Sequence, residues 1–304
     1  VLQGGPGDDV LDVGLDTRTF DESSPRGVVS YDASPRRVRV DLGRGGARGE
    51  GTDRIVDRPG LEVVGSRRDD LLVGGPGGDN LTGGPGDDVL RGLGGTDVLS
   101  GDPFVTRARA VHDDDDVDGG EGDDQLLTER GSDTLRGGSG ADELDAFSSR
   151  PARLLGEDGD DALTVSVSTA GTGWVADGGP GADAVTTQTP GFRAYEPGSP
   201  SGATLTVRAA TGVVERSGAQ VGTLVGFEQL SLAGELRWEY LGTDGPDVVE
   251  GGSRFPFRAE TYGGDDTVTG TYEADYIDAG DGTDTVDAGD GADTCIGVEV
   301  ATSC

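Results

Sequence analysis

The chain repeats itself every nine residues, with aspartate sixth and an aliphatic residue eighth: GGPGGDNLT at 74–82, GGPGDDVLR at 83–91 and GLGGTDVLS at 92–100. Further copies stand at 4–12, 119–127, 128–136, 137–145, 156–164 and 178–186, and toward the C-terminus at 242–250, 261–269, 270–278, 279–287 and 288–296. The eighth residues, from Leu11 through Leu81, Leu90, Leu99, Leu126, Leu135 and Leu144 to Val268, Ile277, Val286 and Cys295, are apolar between mostly polar or small neighbours. Each repeat therefore offers a three-residue strand with one inward side chain, an alternation that rules out helices. The glycine-rich first six residues supply a turn. Two nonapeptides make one coil of a solenoid, so like turns stack every second repeat.

Composition sharpens the constraint. The hydrophobic fraction is 33% and the aromatic fraction 5% of 304 residues, too little apolar surface for an ordinary core, and taken alone it would predict disorder. Acidic residues number 58 against 24 basic ones, 42 of the acids are Asp, and every basic residue is Arg. A net charge of -34 argues against nucleic acid as a partner, and no apolar run reaches the length of a membrane span. The chain begins inside a repeat without Met or a signal peptide, as a mature fragment or a piece of something longer would.

Stacked like neighbouring strands, the sixth-position aspartates of successive like turns would lie ~4.8 Å apart and repel by ~3.5 kcal/mol at an effective dielectric near 20. One buried aliphatic residue contributes roughly 1.5 to 3 kcal/mol, so a full row needs cations between its turns. Calcium suits these turns because it accepts six or more oxygens, mixing carboxylates with backbone carbonyls. Magnesium demands tighter octahedral geometry, and zinc wants His or Cys clusters, which this chain lacks.

The expected metal-ligating carboxylates are Asp9, Asp70, Asp79, Asp88, Asp97, Asp115, Asp124, Asp133, Asp142, Asp161, Asp183, Asp247, Asp266, Asp275, Asp284 and Asp293. In this pattern the chain resembles the RTX family, the haemolysin-type calcium-binding repeat proteins, over most of 65–186 and 242–304 plus the isolated copy at 4–12. The resemblance implies an all-β parallel β-roll that binds several Ca2+ ions. It also implies a ligand scheme: carbonyls of positions two and four and the Asp of one turn, with carbonyls of positions one and three and the Asp of the turn eighteen residues on.

Carried over, one site uses Gly75, Gly77 and Asp79 with Gly92, Gly94 and Asp97. Another uses Gly120, Gly122 and Asp124 with Gly137, Ser139 and Asp142. A third pairs Ser66, Arg68 and Asp70 with Gly83, Pro85 and Asp88. Near the C-terminus Tyr262, Gly264 and Asp266 face Ala279, Asp281 and Asp284, and Thr271, Glu273 and Asp275 face Ala288, Asp290 and Asp293.

The repeat lapses at 13–64 and at 187–241, where Val38, Val40 and Leu42, and later Leu205 and Val207, alternate. Both stretches are expected to add longer strands to one continuous solenoid, the second as a degenerate relative of the first. The organisation is thus 1–64, a main block 65–186, the interruption 187–241 and a C-terminal block 242–304. Residues 101–118 spend two periods with only Asp115 and Val117 in register, which predicts a bulge or loop. The run Asp113 to Asp116 beside His112 is either an extra metal site or an acidic loop whose Asp115 serves the ordinary repeat. His112 is the only histidine and has no nucleophile motif nearby, so no catalytic centre is visible. Trp174, Trp238 and Tyr240 either fill wider coils or form a sugar-stacking platform. Cys295 and Cys304 are the only cysteines, and a disulfide between them would pin the tail over the open end of the solenoid.

These features predict a monomeric, extracellular calcium-binding module, disordered at low calcium and folded when metal is bound. The competing readings are a carbohydrate-active β-solenoid acting on a polyuronide, and an adhesive or surface-layer stalk.

Overall fold

The computed structural model describes residues 1–12, 27–56, 61–102, 113–147, 150–167, 172–188 and 203–304. The chain divides into two compact units, Val1–Ala146 with Leu155–Gly159, and Phe147–Leu154 with Asp160–Cys304. Both are parallel β-rolls of short strands, and the 3-10 turn Ala209–Thr211 is the only helical element among the described residues. No helix among the described residues is long and apolar enough to cross a membrane.

In the first unit Glu62–Val64, Asn80–Thr82, Val98–Ser100, Gln125–Thr128 and Glu143–Ala146 pair in parallel in that order. A second parallel sheet runs through Leu71–Val73, Val89–Gly94, Asp116–Glu121 and Thr134–Ser139. The chain crosses between the sheets once per nonapeptide, so eighth residues meet their like in unbroken columns. Leu81, Leu99, Leu126 and Leu144 form one column, and Leu72, Leu90, Val117 and Leu135 the other. All eight are 1% exposed or less. A single side chain per repeat is therefore fully used, at roughly 1.5 to 3 kcal/mol each.

The second unit follows the same rule, with Leu163, Val185, Leu230, Val249, Val268 and Val286 in one column. Tyr240, Ala259, Ile277 and Cys295 line up in the other. Val300–Ala301 adds a last parallel strand beside Thr285–Asp287. A disulfide joins Cys295 to Cys304 with Cα atoms 6.0 Å apart, holding the tail at the end of the sheets.

Where described, the second interruption carries the expected longer strands, up to the seven residues of Ala219–Val225, while those of the first stay short, and both depart from the parallel direction of the repeats. Arg39–Asp41, Gly46–Arg48 and Thr52–Ile55 form an antiparallel meander. Its first strand lies parallel to Leu71–Val73 and its third parallel to Val10–Leu11. Thr204–Arg208, Val213–Arg216 and Ala219–Val225 repeat this topology, between Arg237–Leu241 and Trp174–Asp177. The kinship expected between the two stretches thus holds at the level of topology. Alternation at period two reads alike in parallel and antiparallel strands; direction is decided by turns. Gly45 at φ 65° closes the first reversal of one meander with its N–H on Leu42, and Gly212 at φ 66° closes that of the other with its N–H on Ala209; Ser217 and Gly218 at φ 53° and 80° make the next reversal of the second.

Trp174 and Trp238 are buried in these wider coils at 1% and 2% exposure. A Cβ at Gly222 would lie 2.0 Å from the Trp174 ring, so glycine there makes room for the indole. Tyr240 is equally buried and donates its hydroxyl to Asp247 at 2.9 Å. These three aromatics form core, and none of the three offers a sugar-stacking face.

Candidate metal-binding turns

The turn at each strand junction is built around its sixth residue, whose carboxylate folds over the glycine at position one. A Cβ at Gly92 would meet Asp97 Oδ2 at 2.1 Å and the Gly119 carbonyl at 2.5 Å. Stacking then links the aspartates: Asp70, Asp88 and Asp115 each donate their N–H to Oδ1 of the next, ending on Asp133, at 2.7, 2.9 and 3.0 Å. Asp79, Asp97 and Asp124 do the same, ending on Asp142, at 2.6, 2.8 and 2.8 Å. In the second unit Asp247 donates to Asp266, Asp266 to Asp284, Asp275 to Asp293 and Asp161 to Asp183.

All five pairs of turns expected from the sequence are stacked on each other. Besides the aspartate ladders, Gly122 donates to the Ser139 carbonyl at 2.7 Å and Gly264 to that of Asp281 at 3.0 Å. The Thr261 hydroxyl donates to the Ala279 carbonyl at 2.9 Å. Asp293 ends its row half-exposed. The steps are not all eighteen residues. Asp88 to Asp115 and Asp97 to Asp124 each span 27, because Gly101 and Asp115 belong to one turn although they stand further apart in sequence than positions one and six of the other turns. His112 and the rest of 103–112 lie outside the described residues.

The rows also recruit residues that the nonapeptide pattern did not single out. Asp9 donates to Asp53 Oδ1 at 3.1 Å, Asp183 to Glu228 Oε2 at 2.7 Å, and Asp284 to Glu299 Oε2 at 3.0 Å. Glu228 and Glu299 share a sequence signal, the tripeptide GFE inside the second interruption and GVE directly after the last repeat. Position five builds an outer ladder of opposite sense, in which Asp87, Asp114 and Asp123 accept N–H groups from Asp114, Ser132 and Ala141. The doubled DD of many repeats was its signal.

Two kinds of turn emerge. In the closed kind the N–H at position two caps the turn's own aspartate: Gly75 on Asp79 at 2.6 Å, Thr243 on Asp247 at 2.8 Å, Thr271 on Asp275 at 2.5 Å, and Ser66 on Asp70. Where position two is Ser or Thr its hydroxyl also donates to that aspartate, at 2.9 Å for Ser66 and Thr271 and 3.4 Å for Thr243. In the open kind position two is left-handed, at Gly84, Leu93, Gly120, Tyr262 and Gly280, and its N–H no longer caps the carboxylate. The Oδ2 atoms of Asp88, Asp97, Asp124, Asp183, Asp266 and Asp284 are then buried without a hydrogen-bond donor, as are those of Asp115 and Asp133, in turns with Asp102 and Glu129 at position two.

Burial dominates the electrostatics of the open turns. It pushes Asp88 up to about 8 against the backbone hydrogen bond it accepts from Asp70. It pushes Asp97 to about 6, Asp124 to about 7, Asp133 to about 7 and Asp115 to about 10, with neighbouring carboxylates adding to the rise. A buried carboxylate oxygen with no donor is costly, and what would satisfy it is a hard cation. Among the described residues no three His, Cys, Asp or Glu side chains converge as a ready-made cage. The shell of such an ion must therefore be completed by backbone carbonyls, which the glycines leave uncovered, and that donor set fits Ca2+.

A family model described as RTX calcium-binding nonapeptide repeat matches the chain in four copies, over residues 1–19, 64–103, 113–146 and 260–295. The gap between the second and third copies coincides with the residues added inside the turn. A search of curated proteins finds no match.

Proposed function

Because the chain is an RTX repeat protein, we propose that it serves as an extracellular calcium-binding module whose several ions complete the fold. The observation that carries this reading is the row of buried Oδ2 atoms without donors in the open turns. Bound there, Ca2+ supplies the positive charge that the turns lack. The chain's own residues do the rest: glycines expose carbonyls, the Asp N–H ladder sets the spacing, and the eighth-position columns hold the turns in register. Folding and binding are then one equilibrium, since the unfolded chain has no preformed site.

An outside setting agrees with the Cys295–Cys304 disulfide and with the calcium available there. We read the module as non-catalytic and monomeric, and as having no nucleic-acid partner, in keeping with its net charge of -34. Far-UV circular dichroism and thermal melting, with calcium and with EGTA, test the reading. The expected result is loss of the β signal in EGTA and its recovery on adding calcium. An unchanged spectrum and melting temperature in EGTA would overturn it.

A further inference from the structure

The turn that contains the added residues has a chemistry of its own. Gly101 takes position one, Asp102 position two, and Asp113, Asp114 and Asp115 positions four to six. The placement follows from the Gly84 N–H on the Gly101 carbonyl at 2.9 Å and from Asp114 bridging the fifth positions of its neighbours, Asp87 and Ser132, at 2.9 and 2.8 Å. Positions two and four are glycine in the stacked turn before it, Gly84 and Gly86, and contribute no side chain. Here both are aspartate, and both are buried, Asp102 at 0% and Asp113 at 2% exposure.

One oxygen of each is accounted for. Asp102 Oδ2 accepts the N–H groups of Glu129 and Arg130, both at 2.9 Å, and Asp113 Oδ1 accepts that of Gly86 at 2.7 Å. Asp102 Oδ1, Asp113 Oδ2 and Asp115 Oδ2 are buried with no hydrogen-bond donor. The Arg130 guanidinium stands 3.8 Å from Asp113 Oδ2, and Asp88 and Asp133 crowd the same row at 1% exposure each. Burial and the adjacent Asp113 carboxylate together raise the pKa of Asp102. Three buried carboxylate oxygens without donors, with one guanidinium at 3.8 Å, are costly as anions unless a proton or a further cation joins them.

We propose that Asp102 and Asp113 form an additional hard-cation site, richer in carboxylate than the other turns, which clamps the two ends of the added segment with a Ca2+ ion. The site rests on the reading of the turns as calcium sites, and goes beyond it by using side chains where the repeat uses glycine. A higher ligand charge favours tighter binding and favours trivalent over divalent ions.

The test compares the whole chain with the double variants Asp102→Asn/Asp113→Asn and Asp102→Gly/Asp113→Gly, the second of which restores the glycine turn and guards against misfolding. Native mass spectrometry and calorimetric titration with Ca2+, then with Tb3+, read the number and affinity of bound ions. The expected result is one ion fewer in both variants, lost from the tightest class, at unchanged circular dichroism in saturating calcium. An unchanged ion count and unchanged affinities would overturn the proposal and leave a shared proton between the two carboxylates. Failure of the unaltered chain to bind calcium at all would instead sink the function proposed for every turn.

Discussion

The closed turns make a prediction that separates hydroxyl from metal. Thr271 is 4% exposed, and its Oγ1 donates toward both oxygens of Asp275, at 2.9 and 3.1 Å, while accepting the Glu273 N–H at 3.1 Å. Thr271→Val keeps the shape and removes these contacts. A hydrogen bond to a charged group contributes about 1.5 to 3 kcal/mol, so the variant should lose about 2 to 3 kcal/mol of stability. Because Asp275 is satisfied within its own turn, that loss should be the same at every calcium concentration. One ion linked to folding adds about 1.4 kcal/mol per tenfold rise in calcium, so urea unfolding at 0.1, 1 and 10 mM calcium reads the linkage as a slope. Thr271→Val should keep the parental slope, while Asp266→Asn, in an open turn, should lower it by about 1.4 kcal/mol per decade. A slope that falls by that amount in Thr271→Val, or a cost below about 0.5 kcal/mol, would refute the reasoning.

Tyr262 is about half-exposed and left-handed at φ 68°, a conformation that costs a non-glycine residue roughly 1 kcal/mol or more. Tyr262→Gly should raise stability in saturating calcium by roughly 0.5 to 1 kcal/mol after the added unfolded-state entropy is counted; a lowered melting temperature would count against strain at this position. Asp88 and Asp115 hold protons in the fold up to about 8 and about 10, but in the unfolded chain only below about 3.9. In metal-free buffer the fold should therefore gain stability as pH falls from 9 to 5, whereas with limiting calcium the same protons compete for the ligands and affinity should fall. Far-UV circular dichroism of the metal-free chain at pH 9, 7 and 5 checks the first trend, as β signal regained on acidification, and calcium titrations check the second; no gain of β signal on acidification would contradict it.

Asp at six and Leu or Val at eight were legible because each side chain has one use, one in the turn and one in a column such as Leu81 to Leu144. The five stacked turn pairs followed from the same period. The 27-residue steps at Asp88 and Asp97 were legible as a bulge or loop, because only Asp115 and Val117 of residues 101–118 keep the register and both take their places in the row and the column. The meanders escaped because Val38, Val40 and Leu42 alternate identically in either strand direction. Glu228 and Glu299 escaped because a longer acid reaches the row from outside the nonapeptide. Position two hid most: Leu93 and Tyr262 adopt a backbone that composition assigns to glycine, while Ser66 and Thr271 at the same position close the turn instead.

The closed turns have a place as well as a form. Four runs of stacked nonapeptides begin at Asp70, Asp79, Asp247 and Asp275, and each begins with a turn that satisfies its own carboxylate. One of them, from Asp247 through Asp266 and Asp284, finishes on Glu299. Such a run behaves as a one-dimensional crystal with a seed that forms without the crystallising ion and, in that instance, a terminator that stops growth. Its length is then free to vary. An eighteen-residue unit spliced between seed and terminator lengthens both columns by one strand and leaves the ends untouched, whereas a nine-residue splice exchanges the two columns unless a turn absorbs it.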